Sequence, residues 1–102
     1  MPRTPLGRSV FYDGAITTSV VQVSTTDTNI EEMILSNTTT TEPITITFTR
    51  AVDDTVMGKP IMISSDQIIR NYGNAWWFFQ GGLKISADAV GIRYQITGNQ
   101  RP

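Results

Sequence analysis

Hydrophobic and polar residues alternate along most of this chain, and the alternation predicts strands. The clearest run is residues 44–50: Ile44, Ile46 and Phe48 fall on one face, and Thr45, Thr47 and Thr49 on the other. Ile92, Tyr94 and Ile96 alternate in the same way against Arg93, Gln95 and Thr97, which predicts a closing strand over residues 91–97. Residues 83–87 form the strand before it, with a turn at Asp88-Ala89. In residues 30–36, Glu32, Ile34 and Ser36 alternate against Glu31, Met33 and Leu35. Residues 29–33 also fit a short helix, because Asn29 can cap and two glutamates suit a first turn. Segments 30–36 and 44–50 read as an antiparallel hairpin with a long polar loop.

The remaining elements are shorter. Residues 8–12 form a first strand closed by Asp13-Gly14, a favourable turn dipeptide, and residues 15–23 a second. Residues 24–29 are a polar loop, and residues 51–57, which hold Asp53 and Asp54, another. Residues 61–63 are a strand broken by Ser64-Ser65-Asp66, and residues 67–70 are a strand or the first turn of a helix. A turn at 71–74 leads into an aromatic strand at 75–80. Gly81-Gly82 then supplies a tight bend in which both residues can take positive φ. About eight strands at short, fairly regular intervals predict an all-β, antiparallel sandwich or jelly roll. The domain spans residues 9–98, preceded by an arm at 1–8 and followed by a polar tail at 99–102. The arm carries two prolines and two arginines and reads either as a loose terminus or as a docking segment.

Composition agrees. Thr is the commonest residue, Ile and Val are abundant and Leu is scarce, as strands prefer. The 102 residues suffice for one domain, and 39% hydrophobic against 17% charged is too apolar for a disordered chain. A net charge of −1 leaves no basic footprint for nucleic acid or an anionic membrane. No apolar stretch approaches the ~20 residues of a membrane span, and no secretory signal is expected at the N-terminus. The absence of Cys and His excludes disulfides, thiolate chemistry, histidine general bases and the common zinc sites. A cytoplasmic origin is the natural expectation.

Trp76-Trp77-Phe78-Phe79 is the feature that points to function. On a strand, Trp76 and Phe78 share one face and Trp77 and Phe79 the other. One face can line the core of a protein this small. Fully burying a large aromatic is worth roughly 1.5–3 kcal/mol, so the second face is expected to be covered by another protein chain.

Catalysis is not expected. Asp53 and Asp54 match no calcium-loop spacing and read as a solvated acidic loop. Glu31 and Glu32 point to opposite faces of a strand, which suits no glycosidase pair. No nucleophile elbow, phosphate loop or dinucleotide fingerprint occurs, and Lys59 and Lys84 are the only lysines. No cofactor or metal is implied. Asn37-Thr38-Thr39 fits a glycosylation acceptor but means nothing without a secretory route. Trp76, Trp77 and Tyr72 could instead form a sugar-stacking platform, which makes a carbohydrate-binding module the alternative.

Residues 30–38 (Ile-Glu-Glu-Met-Ile-Leu-Ser-Asn-Thr), followed by Pro43-Ile44-Thr45-Ile46-Thr47-Phe48, resemble a pattern in the small β-sandwich virion proteins of tailed bacteriophages. There an I-x-x-I-x-L-x-N-T strand leads through a polar loop into V-T-V-T-L. Residues 83–98 resemble that family's closing hairpin, and the likeness covers roughly residues 10–98 in pattern more than identity. The aromatic run departs from the family, which has milder aliphatics before its Gly turn. The resemblance implies a virion component made in the bacterial host cytoplasm: a head decoration or cement protein, or a neck, tail or fibre-attachment adaptor. It further implies a homo-oligomer, with a trimer favoured, bound to the major capsid protein or another virion protein, and no catalytic residues. The residues expected at such interfaces are Trp76, Trp77, Phe78 and Phe79 of the aromatic strand, with Arg3, Leu6 and Arg8 of the arm.

Overall fold

Alternation in this chain builds two stacked antiparallel sheets. A computed structural model describes residues 8–37, 43–63, 67–71 and 77–100. Among them are ten strands and no helix: β1 (Arg8–Ile16), β2 (Val21–Gln22), β3 (Thr28–Asn37), β4 (Ile44–Arg50), β5 (Thr55–Gly58), β6 (Ile61–Met62), β7 (Gln67–Asn71), β8 (Trp77–Phe79), β9 (Leu83–Ala87) and β10 (Ile92–Gln100). The first sheet has the order β1-β10-β3-β7, with β8 also pairing with β3. The second has the order β2-β9-β4-β5, with β6 also pairing with β4. The fold is a small all-β sandwich.

The inward faces are almost wholly apolar. Ile46, Phe48, Ile92, Tyr94 and Ile96 line the core as their spacing predicts. Ile16, Ile30, Leu35, Ile44, Met62, Leu83 and Ile85 are buried beside them. Each such side chain removes enough apolar surface from water to contribute roughly 1.5–3 kcal/mol, which holds the layers together without disulfides.

Several elements differ from the sequence expectation. Asp13-Gly14 is not a turn: β1 runs straight through it, with Gly14 opposite Tyr94 in the β10 ladder. The glycine gives the Tyr94 side chain room, since a Cβ would sit 3.0 Å from its hydroxyl oxygen. Residues 29–33 are strand, not helix, because their main chain pairs with β10 and β8. Segments 30–36 and 44–50 are not a hairpin; β3 lies in the first sheet and β4 in the second. Each has one apolar face, and facing layers bury both faces where a hairpin would leave them side by side. The acidic loop shortens to a turn at residues 51–54 before β5, and residues 67–71 are strand. Of the expected tail, Asn99 and Gln100 belong to β10 and ladder with both β1 and β3, and residues 101–102 lie outside the described residues. The Gly81-Gly82 bend has the expected positive φ at both residues, 78° and 120°.

A bulge sets the register of the central strand. Thr97 pairs with Glu32 but Gly98 with Ile30, so Glu31 is an extra residue in β3. That insertion lets Ile30 and Met33 both face the core, which strict alternation forbids. Near this end a polar clip joins the two layers. The Ser24 hydroxyl accepts the Leu83 N–H at 2.9 Å and the Thr28 hydroxyl at 2.8 Å. The Asp27 carboxylate accepts the Gly81 N–H at 2.8 Å.

Candidate interaction surface

The aromatic strand is divided between core and surface by the two-residue period. Phe79 is fully buried, opposite Thr28 of β3. Trp77, two residues earlier, packs against the same core. Its ring lies 5.1 Å from Phe48 at a tilt of 56° and 4.7 Å from Phe79 at 64°, close to edge-on. Gly58 of β5 makes room for it, since a Cβ there would come within 3.1 Å of the ring. Trp77 and Phe79 therefore bridge the two sheets: Phe79, expected at an interface, is fully interior, and Trp77 is partly buried against the core. Phe78 points the other way, half-buried, opposite Asn29. Asn29 is only 2% exposed, and its Nδ2 has no hydrogen-bond partner.

Of the arm, only Arg8 lies among the described residues. It begins β1 and donates to Gln100 Oε1 at 2.8 Å, so it is a sheet residue and not part of an arm. Arg3, Leu6, Trp76 and Tyr72 lie outside the described residues, as do Thr38 and Thr39 of the glycosylation triplet, the break at 64–66 and most of the turn at 71–74.

Among the described residues, exposed apolar side chains also lie away from the aromatic strand, at Phe11, Val20, Val52, Val56, Ile61, Ile63, Ile69 and Val90. Val56, Ile61 and Ile63 are 50–62% exposed along the β5–β6 flank of the second sheet. Val56 stands opposite Thr49 and Ile61 opposite Thr45, so both share the outer face with the threonine row of β4. Phe11, 61% exposed, lies on the outer face of β1. The outer face of the first sheet also holds a polar trough of about 350 Å³ between Ile34, Ser36, Gln67, Arg93 and Gln95. A signal for the rim existed in the sequence, namely β-branched residues flanking Lys59-Pro60. It was weak because each strand there has at most four residues.

Three ion pairs lie among the described residues. Arg50 holds Asp53 through two bonds, at 3.0 and 2.6 Å, and the Thr55 N–H adds a third at 3.1 Å. These bonds, the Arg50 contact foremost, hold the Asp53 carboxyl well below the usual carboxylate range. Lys84 pairs with Asp54 at 2.9 Å, and Arg93 with Asp13 at 3.3 Å. Asn99 donates to Glu31, and Asn71 to Glu32 at 3.4 Å. Among the described residues no three acidic, His or Cys groups gather as a metal would need.

No protein-family model, curated protein or solved structure matches this chain.

Proposed function

We propose that this chain is a non-enzymatic structural subunit of a tailed-phage virion, a head decoration or cement protein that binds the major capsid lattice as a homo-oligomer. The observation that carries the reading is the exposed rim of Val56, Ile61 and Ile63 on a sandwich whose core is already complete. Aliphatic side chains gathered on one flank lose stabilisation in water and gain it against a partner. The sequence resemblance supports the same reading: its segments coincide with β3, β4, β9 and β10, the strands that carry most of the core. Decoration suits a small rim, because many weak contacts repeated by symmetry add up through avidity.

The carbohydrate alternative loses support from the geometry. Trp77, one of its three platform rings, is partly buried and packs against Phe48 and Phe79, which leaves less of the ring for a sugar.

The test is to purify particles of the phage that encodes the chain and image them by cryo-electron microscopy after labelling with an antibody to it. Regular density on the head lattice is expected, and an Ile61→Lys, Ile63→Lys double variant should remain folded but leave the heads undecorated. A chain that stays in the soluble lysate and is absent from purified particles overturns the proposal.

A further inference from the structure

Each sheet has two flanks, and three of the four are interrupted. β2 is two residues long. β5 and β6 share one side of β4 but are divided by Lys59-Pro60, and proline cannot donate to a ladder. β7 and β8 share one side of β3 as two short pieces. Short, broken and proline-bearing edges are how sheets avoid pairing with other chains. β1 has none of these features. It runs nine residues without proline, in unbroken register with β10, and among the described residues it ladders with no other strand.

We propose that β1 pairs antiparallel with β1 of a second copy of this chain, about a twofold axis at Phe11. This names the self-contact of the virion subunit proposed above and rests on that reading. The strand is self-complementary in this register. Antiparallel partners share a face, so residues opposite each other have numbers summing to 22. Phe11 then meets Phe11 of the second copy on the outer face, which covers a ring now 61% exposed. Ser9 meets Asp13, a hydroxyl donor against a carboxylate. On the inner face Val10 meets Tyr12. Both are half-buried residues of an open cleft of about 260 Å³ at the mouth of the sandwich, which the second copy would extend. Moving the axis to Tyr12 is worse, since it sets the Asp13 carboxylate against Phe11 and Val10 against Gly14. The contact is isologous and closes as a dimer, in contrast to the trimer implied by the resemblance.

Sedimentation equilibrium of the purified chain tests the contact, with near-ultraviolet circular dichroism to confirm folding. A two-chain mass is expected. Phe11→Lys and Phe11→Glu should each weaken the dimer by about tenfold or more, through lost aromatic contact and like charges face to face. Mixing the two variants should restore it, because the opposite charges meet on the axis. Ser9→Lys should tighten it by about twofold to fivefold through Asp13. Hydrogen exchange should show β1 amides gaining protection with chain concentration. A monomer at all concentrations, or a three-chain particle indifferent to Phe11→Lys, overturns the inference. So does β1 protection that appears only when phage heads are added, since the edge would then take a strand from another protein. Failure of this solution test leaves the particle-labelling test untouched, and the reverse holds.

Discussion

Trp77 rests its six-membered ring on Gly58, at the one place where β5 lacks a side chain on the inner face. The contact crosses between sheets, from β8 in the first to β5 in the second. A Cβ at position 58 would lie 3.1 Å from the Trp77 Cη2 atom, tighter than ordinary van der Waals contact. Gly58→Ala is therefore expected to displace the indole and cost about 1–3 kcal/mol by overpacking. A lower urea midpoint with altered near-ultraviolet circular dichroism checks this; an unchanged midpoint would mean that the ring has slack.

Adjacent phenylalanines should respond very differently to truncation. Phe79→Ala removes a fully buried ring and should cost about 3–5 kcal/mol. Phe78→Ala removes a half-buried one and should cost roughly 1 kcal/mol. Thermal unfolding of the two variants side by side measures the difference, and equal losses would contradict the division of the strand between core and surface.

Alkaline stability should depend on Tyr94. Burial, aided by the nearby Asp13 carboxylate, raises its phenol above the ordinary value of 10.0. The unfolded chain then ionises first. The stabilisation is complete below about pH 10 and declines as pH rises from there through the higher folded value. Tyr94→Phe should flatten that decline. Urea midpoints from pH 8 upward test it, and parallel curves for the two proteins would refute the assignment.

Acid should act through Asp53. Its carboxyl is depressed chiefly by the Arg50 hydrogen bonds and then by Thr55. Its stabilisation is present above the ordinary value of 3.8 and is lost as pH falls below that toward the lower folded value. The pair is solvent-exposed, so the effect is small and salt-sensitive. Asp53→Asn should lower the urea midpoint at pH 6 and converge with the native protein in strong acid. A gap that persists in acid would mean that charge is not the cause.

The strands that were legible in the sequence were those whose apolar face is buried by one opposing layer. β4, β9 and β10 carry that signature, and the inward residues of β4 and β10 followed from spacing alone. Where the reading failed, a tertiary contact overrode a local signal. Asp13-Gly14 reads as a turn, but the ladder to β10 carries the strand through it, with Gly14 opposite Tyr94. Asn99 and Gln100 read as tail because their polarity conceals ladders to strands on both sides. The pairing of β3 with β4 was wrong because alternation fixes which face is buried but not which sheet holds it. The aromatic run was half legible: its period guaranteed a split, but with rings on both faces nothing local said that Trp77 and Phe79 would turn inward. The rim at Val56, Ile61 and Ile63 was missed because strands of two to four residues carry too little pattern to assign a face.

The ladder between β1 and β10 joins the earliest of the described strands to the latest. During synthesis β1 leaves the ribosome with no place to go until some eighty residues later, when its neighbour emerges. A segment containing Val10, Phe11 and Tyr12 waits unprotected through that interval, when premature contact between nascent chains would be most damaging. Moving β1 behind β10 by circular permutation would remove the delay, and the gain should appear as a higher soluble yield from the same native sandwich.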